Sequence, residues 1–224
     1  MTFTILTLFP DMIRPFLEQS ILGRAAQAGT ITVQLHNLRD WATDKHHTVD
    51  DTPYGGGAGM VLKVDVIDHA LAELRTPTTT VILLTPSGKR FTQEVARTLA
   101  DTDKDVLLIA GHYEGFDERV RMLVDQEISV GDFVLTGGEL PAAIVVDAVA
   151  RLLPNVLGNP ASPQEESFSV DHPLEYPQYT RPDTYTPVSR IVGEISVPEI
   201  LKSGNHAAIA SWRAEQSKNR SDAA

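Results

Sequence analysis

Runs of apolar, β-branched residues alternate along this chain with stretches whose apolar positions recur every three or four residues. The runs Thr4–Phe9, Ile31–Asn37, Val81–Thr85, Val106–Ala110 and Phe133–Thr136 predict strands. The stretches Ile13–Ala28, Val64–Leu74, Thr92–Ala100, Phe116–Val124 and Leu140–Leu153 predict helices. Their alternation predicts an α/β fold, a mostly parallel sheet with helices on both faces. The helix from Leu140 carries Pro141 in its first turn, where a missing N–H costs nothing, and Pro154 beyond its end. From Ala142 to Ala150 it is apolar nearly all round, so it must be buried on most faces, in a core or against a second subunit.

After Arg151 the character changes. Residues 154–187 hold seven of the chain's fourteen prolines, which predicts a long connection rather than a packed element. Beyond it, Val197–Leu201 and Ala207–Ser217 predict a short helical part. Asn205 is placed to cap its second helix, and Ile209 with Trp212 forms a small apolar stripe.

Composition narrows the function. An apolar fraction of 42% and a charged fraction of 22% over 224 residues fit a globular protein. With no cysteine, disulfides, thiolate nucleophiles and cysteine-bound zinc are excluded. The opening Met1–Pro10 lacks a basic leader, and no stretch reaches the ~20 apolar residues of a membrane span, so a cytoplasmic protein without a membrane segment is expected. The net charge of −11 argues against a polyanionic partner. Yet Lys202, Arg213, Lys218 and Arg220 face only Glu215 across residues 201–220, so the tail can still meet nucleic acid locally.

Four glycine-bearing segments are candidates for chemistry. Tyr54-Gly55-Gly56-Gly57-Ala58-Gly59-Met60 is either a flexible surface loop or a backbone approach to a ligand; no Gly-Lys-Ser/Thr follows, so it is not a phosphate loop. Thr85-Pro86-Ser87-Gly88 leaves a strand and suits an ordinary turn. Gly111-His112-Tyr113-Glu114-Gly115 breaks a buried strand. The acids that follow, Asp117 and Glu118, are explained by a helix dipole, whereas Tyr113 and Glu114 are not. Gly131 to Pro141 brings Gly137 and Gly138 to a strand end before the buried helix. Ligands of open α/β sheets bind at the carboxyl ends of strands, and that is where three of the four lie. No Gly-x-Gly-x-x-Gly follows the first strand, which disfavours a dinucleotide fold. His46-His47 beside Asp44, Asp50 and Asp51 suits a solvated polar loop better than a metal site.

Together these segments resemble the bacterial tRNA (guanine-N1)-methyltransferase family, TrmD type, of the SPOUT class of knotted methyltransferases. The motifs that carry the resemblance are Thr48-Val49-Asp50-Asp51 with Pro53–Gly57, Gly111–Val120, Gly131–Pro141, Arg151-Leu152-Leu153-Pro154 with Val156-Leu157-Gly158, Tyr179-Thr180-Arg181-Pro182, and Leu201–His206. They occur in family order over nearly the whole chain.

The resemblance implies a fold that periodicity could not show. Segments 84–88, 111–115 and 130–138 would thread into a C-terminal trefoil knot, which general topology rules reject. It implies a knotted catalytic domain at 1–159, a linker at 160–186 and a small C-terminal α-helical tRNA-binding domain at 187–224. It implies a homodimer with each active site drawing on both subunits. The methyl donor S-adenosyl-L-methionine is implied at Leu84, Thr85, Pro86, Gly111, Tyr113, Glu114, Val130, Gly131, Phe133, Leu135, Gly137, Gly138 and Pro141. Asp50, Gly59, His112 and Ser167 fall in segments implied to meet the substrate, the guanosine 3′ of the anticodon (position 37). Magnesium use is also implied. Glu114 and the catalytic carboxylate offer hard oxygen ligands, though no spacing marks a metal site.

Guanine N1 carries a proton and is a poor nucleophile at neutral pH. Methyl transfer to it needs a general base at N1 and a cation facing O6. The resemblance places the cation at Arg151 and the base at Glu166, where most relatives carry aspartate; Glu165 and Asp171 are rivals. The chain ends at Ala224, before the longer helical tail of many relatives, so fewer tRNA contacts are expected. The competing readings are a knotted rRNA methyltransferase and a catalytically silent adenosylmethionine- or RNA-binding module.

Overall fold

The computed structural model describes residues 1–102, 104–158, 166–168, 174–189 and 193–222. The first of two compact units spans Met1–Gly158. In chain order it contains β1 (Thr2–Thr7), α1 (Pro10–Leu17), α2 (Ser20–Gln27), β2 (Thr32–Asn37), β3 (Asp50–Asp51), β4 (Val61–Leu62), α3 (Val64–Leu74), β5 (Thr79–Arg90), α4 (Gln93–Ala100), β6 (Asp105–Ala110), β7 (Gln126–Ser129) and α5 (Glu139–Ala150). Short 3₁₀ turns lie at Leu38–Trp41 and Glu118–Met122. The main sheet is five-stranded, in the order β2-β1-β6-β5-β7, and every pairing in it is parallel.

Strand alternation builds the two faces. Phe3, Ile5, Ile82, Leu84, Val106 and Leu108 join α1, α2, α4 and α5 in one apolar cluster. Leu6, Val81, Leu83, Leu107 and Ile109 point the other way, into a cluster with α3 and both 3₁₀ turns. Successive side chains of a strand face opposite sides, and a sheet covered on both faces therefore carries continuous apolar runs. The predicted α/β layout holds.

The short strands β3 and β4 have no predicted counterpart, β5 runs on through the turn expected at Thr85–Gly88, and three predicted elements differ in kind or place. The single helix Ile13–Ala28 is two, broken at Glu18–Gln19 with Ser20 at φ 55°. At about 100° per residue, a straight helix would turn Leu22 away from Ile13 and Leu17; the break lets all three enter one core. The helix Phe116–Val124 shrinks to the 3₁₀ turn, because Phe116 is bridged to Leu62 and the Asp117 N–H donates to Leu62 O at 2.9 Å. The last strand of the five-stranded sheet is Gln126–Ser129, not Phe133–Thr136. The QEIS stretch has one aliphatic residue and gave no signal. The apolar run after it is exposed, with Val134 at 86%.

The second unit spans Asn159–Ala224. It contains an antiparallel pair, β8 (Thr184–Tyr185) and β9 (Ile195–Ser196), then α6 (Glu199–Lys202) and α7 (His206–Asp222). Asn205 caps α7 as predicted: its Oδ1 accepts from Ala208 N at 3.2 Å, an arrangement worth about 1 kcal/mol. Residues 174–179 pack along α7. Ser217 Oγ donates to Leu174 O, Arg220 donates to Glu175 O at 3.3 Å, and Arg213 stacks over Tyr176 at 4.6 Å. No helix among the described residues is long and apolar enough to cross a membrane.

Candidate active site

Beyond the carboxyl ends of β6 and β7, and around the bulge within β5, loops enclose a cavity of about 380 Å³. Its walls come from Leu83–Pro86, Gly111–Glu118 with Arg121, Ile128–Gly131 and Phe133–Gly138 with Pro141. That volume lies in the range of small-molecule sites. Leu84, Thr85, Pro86, Gly111, Tyr113, Glu114, Val130, Gly131, Phe133, Leu135, Gly137, Gly138 and Pro141 are all brought to it, and so is His112.

The glycines are there because main chain meets main chain. Ile128 pairs with both Leu84 and Lys89, so β5 bulges outward between them. Gly88 lies so near β7 that a Cβ there would stand 2.5 Å from Ile128 N. Gly138 approaches β6 similarly, its missing Cβ being 2.7 Å from both Ala110 Cα and Gly111 N, and its N–H donates to Gly111 O at 2.8 Å. Tyr113 takes φ 59°, in the left-handed region that L-residues seldom occupy.

The Tyr54–Met60 glycine loop is fastened to the cavity rim. The Glu114 N–H donates to Met60 O at 3.0 Å, and the Leu62 N–H to Gly115 O at 2.9 Å. Gly59, at φ 78°, lies against the Glu114 side chain with no room for a Cβ, and Asp50 is half-buried opposite Leu62 in the β3–β4 pair. On the far rim, Arg121 joins three segments: Nη2 donates to Ser87 Oγ at 2.8 Å, Nε pairs with Glu118 at 2.8 Å, and Nη1 pairs with Glu127. Beside it Asp117 accepts from Arg119 Nε at 2.8 Å and Nη2 at 2.6 Å. That hydrogen-bonded guanidinium holds its carboxyl down to about 2.

Arg151 lies outside the cavity lining, at the C-cap of α5. Glu166 and Ser167 are half-buried in the second unit, where Ser167 Oγ accepts from Glu175 N at 3.0 Å. Glu165 and Asp171 lie outside the described residues. Among the described residues no group of three or more His, Asp or Glu side chains is placed to hold a metal ion. Asp44 closes its own loop, accepting from Thr48 N, Thr48 Oγ1 and His46 N at 2.8–2.9 Å, and the Thr48 N–H chiefly draws its carboxyl down to about 2. The solvated-loop reading of the His46-His47 segment accounts for these bonds.

Sequence reasoning gave no role to Arg121 or to Glu139, which is 1% exposed at the start of α5. An acid opening an otherwise apolar helix was the only signal for Glu139. Arg121 gave none, because Ser87, the partner that ties it to the β5 bulge, lies 34 residues away.

Fold and site define an α/β protein with a cavity of small-molecule size walled by bent main-chain segments at the carboxyl edge of a parallel sheet. A profile of the family described as tRNA (guanine-1)-methyltransferase TrmD matches residues 1–224. The tRNA (guanine-N(1)-)-methyltransferase of Geobacter sp. (strain M21) is 54% identical over 223 residues, covering 98% of this chain and 86% of the relative. Those of Syntrophomonas wolfei and Deinococcus deserti are each 52% identical, over 97% and 98% of this chain and 85% and 78% of their own. The chain belongs to the tRNA (guanine-1)-methyltransferase family.

Proposed function

We propose that this protein transfers the methyl group of S-adenosylmethionine to N1 of the guanosine immediately 3′ of the anticodon in tRNA, position 37. One observation carries the donor half. Segments 84–86, 111–114, 130–138 and Pro141, which family membership associates with the donor, converge on one cavity of suitable size. The close backbone approaches at Gly88 and Gly138 support the threading of these segments as a trefoil knot.

Bound there, the donor supplies an electrophilic methyl group. The chain's own part is to make guanine N1 nucleophilic. Glu166 takes the N1 proton and the Arg151 guanidinium faces O6, where negative charge gathers. Asp50, Gly59 and Ser167 hold the base and its neighbours, whereas His112, which the sequence reading placed with them, lines the donor cavity. Gly138 at the cavity and Arg151 stand at opposite ends of α5, roughly 20 Å apart at 1.5 Å per residue. That separation supports a homodimer in which Arg151 of one copy serves the cavity of the other. So does the apolar surface left on α1, which packs on α5, and on α5 itself: Met12 at 56%, Phe16 at 54%, Leu140 at 53% and Ile144 at 45% exposed.

In the second unit, residues 187–224 are assigned as the tRNA-holding part; of the expected linker 160–186, residues 174–179 pack along α7 and Thr184–Tyr185 pairs with β9, so these join that part. A cavity within that unit, lined by Tyr176, Tyr179, Arg181 and Arg213, offers aromatic rings and guanidinium groups of the kind that hold RNA. The cytoplasm is the compartment this activity implies. Glu114 in the cavity wall is the oxygen ligand assigned to magnesium, and among the described residues no group of three or more acidic or histidine side chains is gathered around one point to hold the ion.

The test is methylation of a leucine- or proline-type tRNA transcript with labelled donor, with and without the target guanosine. Label on N1 of that base alone is expected. Label on rRNA fragments instead, or on neither RNA, overturns the proposal.

A further inference from the structure

Beneath the cavity lies a polar group that the chemistry above does not use. Thr7, fully buried at the end of β1, donates Oγ1–H to Glu139 Oε1 at 2.7 Å. The other oxygen, Oε2, lies against Gly137 so closely that any Gly137 side chain would overlap it. The same absent side chain would stand 2.8 Å from His112 Nδ1. Among the described residues that nitrogen has no hydrogen-bond partner, and it is buried. The ring is held edge-on by Phe9, centroids 4.9 Å apart, and by Tyr113 at 5.2 Å. A buried carboxylate and an orphaned ring nitrogen thus flank the space Gly137 leaves empty.

The two atoms are neighbours across Gly137 but are not hydrogen-bonded in this structure; an orphaned polar atom in such a setting is costly, and a side-chain turn that directs an Nδ1 proton at Oε2 satisfies both groups. A neutral imidazole carries one N–H and one lone pair, and the bond made by one nitrogen decides the role of the other. We propose that Glu139 is a positioning residue. It holds His112 as the Nδ1–H tautomer, which leaves Nε2 as a lone-pair acceptor for a ribose hydroxyl or the ammonium group of S-adenosylmethionine in the cavity that His112 lines. Gly137 is required because any β-carbon would overlap Oε2 and crowd Nδ1. The ligand half rests on the donor reading of the cavity; the tautomer half does not.

The full chain, labelled with ¹⁵N-histidine and free of ligand at pH 8, reports the tautomer through two-bond ¹H–¹⁵N correlations. His112 protonated on Nδ1 is expected; protonation on Nε2 alone, or on both nitrogens, overturns the proposal. Gly137→Ala should move His112 toward Nε2–H, and an unchanged spectrum overturns the pairing with Glu139. In titrations with S-adenosylmethionine, His112→Gln, whose amide reaches the Nε2 position, should stay within about threefold of wild type. His112→Asn, which reaches only the Nδ1 position, should bind about tenfold more weakly. The reverse ranking overturns the acceptor role. Failure of the wild-type chain to bind the donor at all overturns the donor reading and the acceptor role with it, while the spectrum still decides the pairing.

Discussion

Gly138→Ala tests whether the cavity depends on main-chain contact. Gly138 has φ −86° and ψ 0°, a conformation alanine adopts without strain, so any effect is steric. The new methyl group would stand 2.7 Å from Ala110 Cα and Gly111 N, whereas carbon contacts settle at about 3.5–4.0 Å. The two segments must part by roughly 0.8 Å or more. That stretches the 2.8 Å Gly138–Gly111 hydrogen bond beyond use, a loss of about 1 kcal/mol. Overpacking against backbone adds about 1–3 kcal/mol. A total of about 3 kcal/mol lowers the melting temperature of a chain this size by roughly 6–12 °C. Because the parted segments wall the cavity, donor affinity should fall by about tenfold or more, equivalent to ~1.4 kcal/mol. Scanning calorimetry and donor titration measure the two effects. Gly158→Ala is the control, since a Cβ there meets no described atom within 4 Å. Wild-type melting and affinity in Gly138→Ala would refute the packing argument.

Arg151→Ala should abolish methyl transfer while calorimetric donor affinity stays near wild type; a matching loss of affinity would place Arg151 at the donor instead. Glu166→Gln should abolish turnover in the labelled-methyl assay, and near-normal activity would move the base to Glu165 or Asp171. Asp117→Asn should destabilise the fold at neutral pH. The folded carboxyl titrates at about 2, below its ordinary 3.8, so its contribution is whole above about pH 4 and disappears as the pH falls through about 2. Urea unfolding of variant and wild type should therefore converge over that window, and a gap undiminished at pH 2 would contradict the hydrogen-bonded Arg119 guanidinium as its cause. Ile144→Glu should shift the sedimenting species from dimer to monomer; an unchanged species would exclude that face from the interface.

The sequence by itself determined the α/β class, the parallel sheet and the two-sided core. Continuous apolar runs such as Val106–Ala110 have only one stable use, burial between two layers of helix. It also marked the glycine segments, because residues that must lie against backbone leave a compositional trace. It could not settle helix breaks such as Glu18–Gln19, where the core decides which face turns inward. Nor could it separate the exposed Phe133–Thr136 from a strand, because a run lining a cavity and a run lining a core look alike in one dimension. Only the tertiary structure set Glu139 beside Thr7 and His112, and Arg121 beside Ser87 and Glu127. Those contacts join residues from 6 to 132 positions apart, and no local pattern encodes a pairing that chain folding alone brings about.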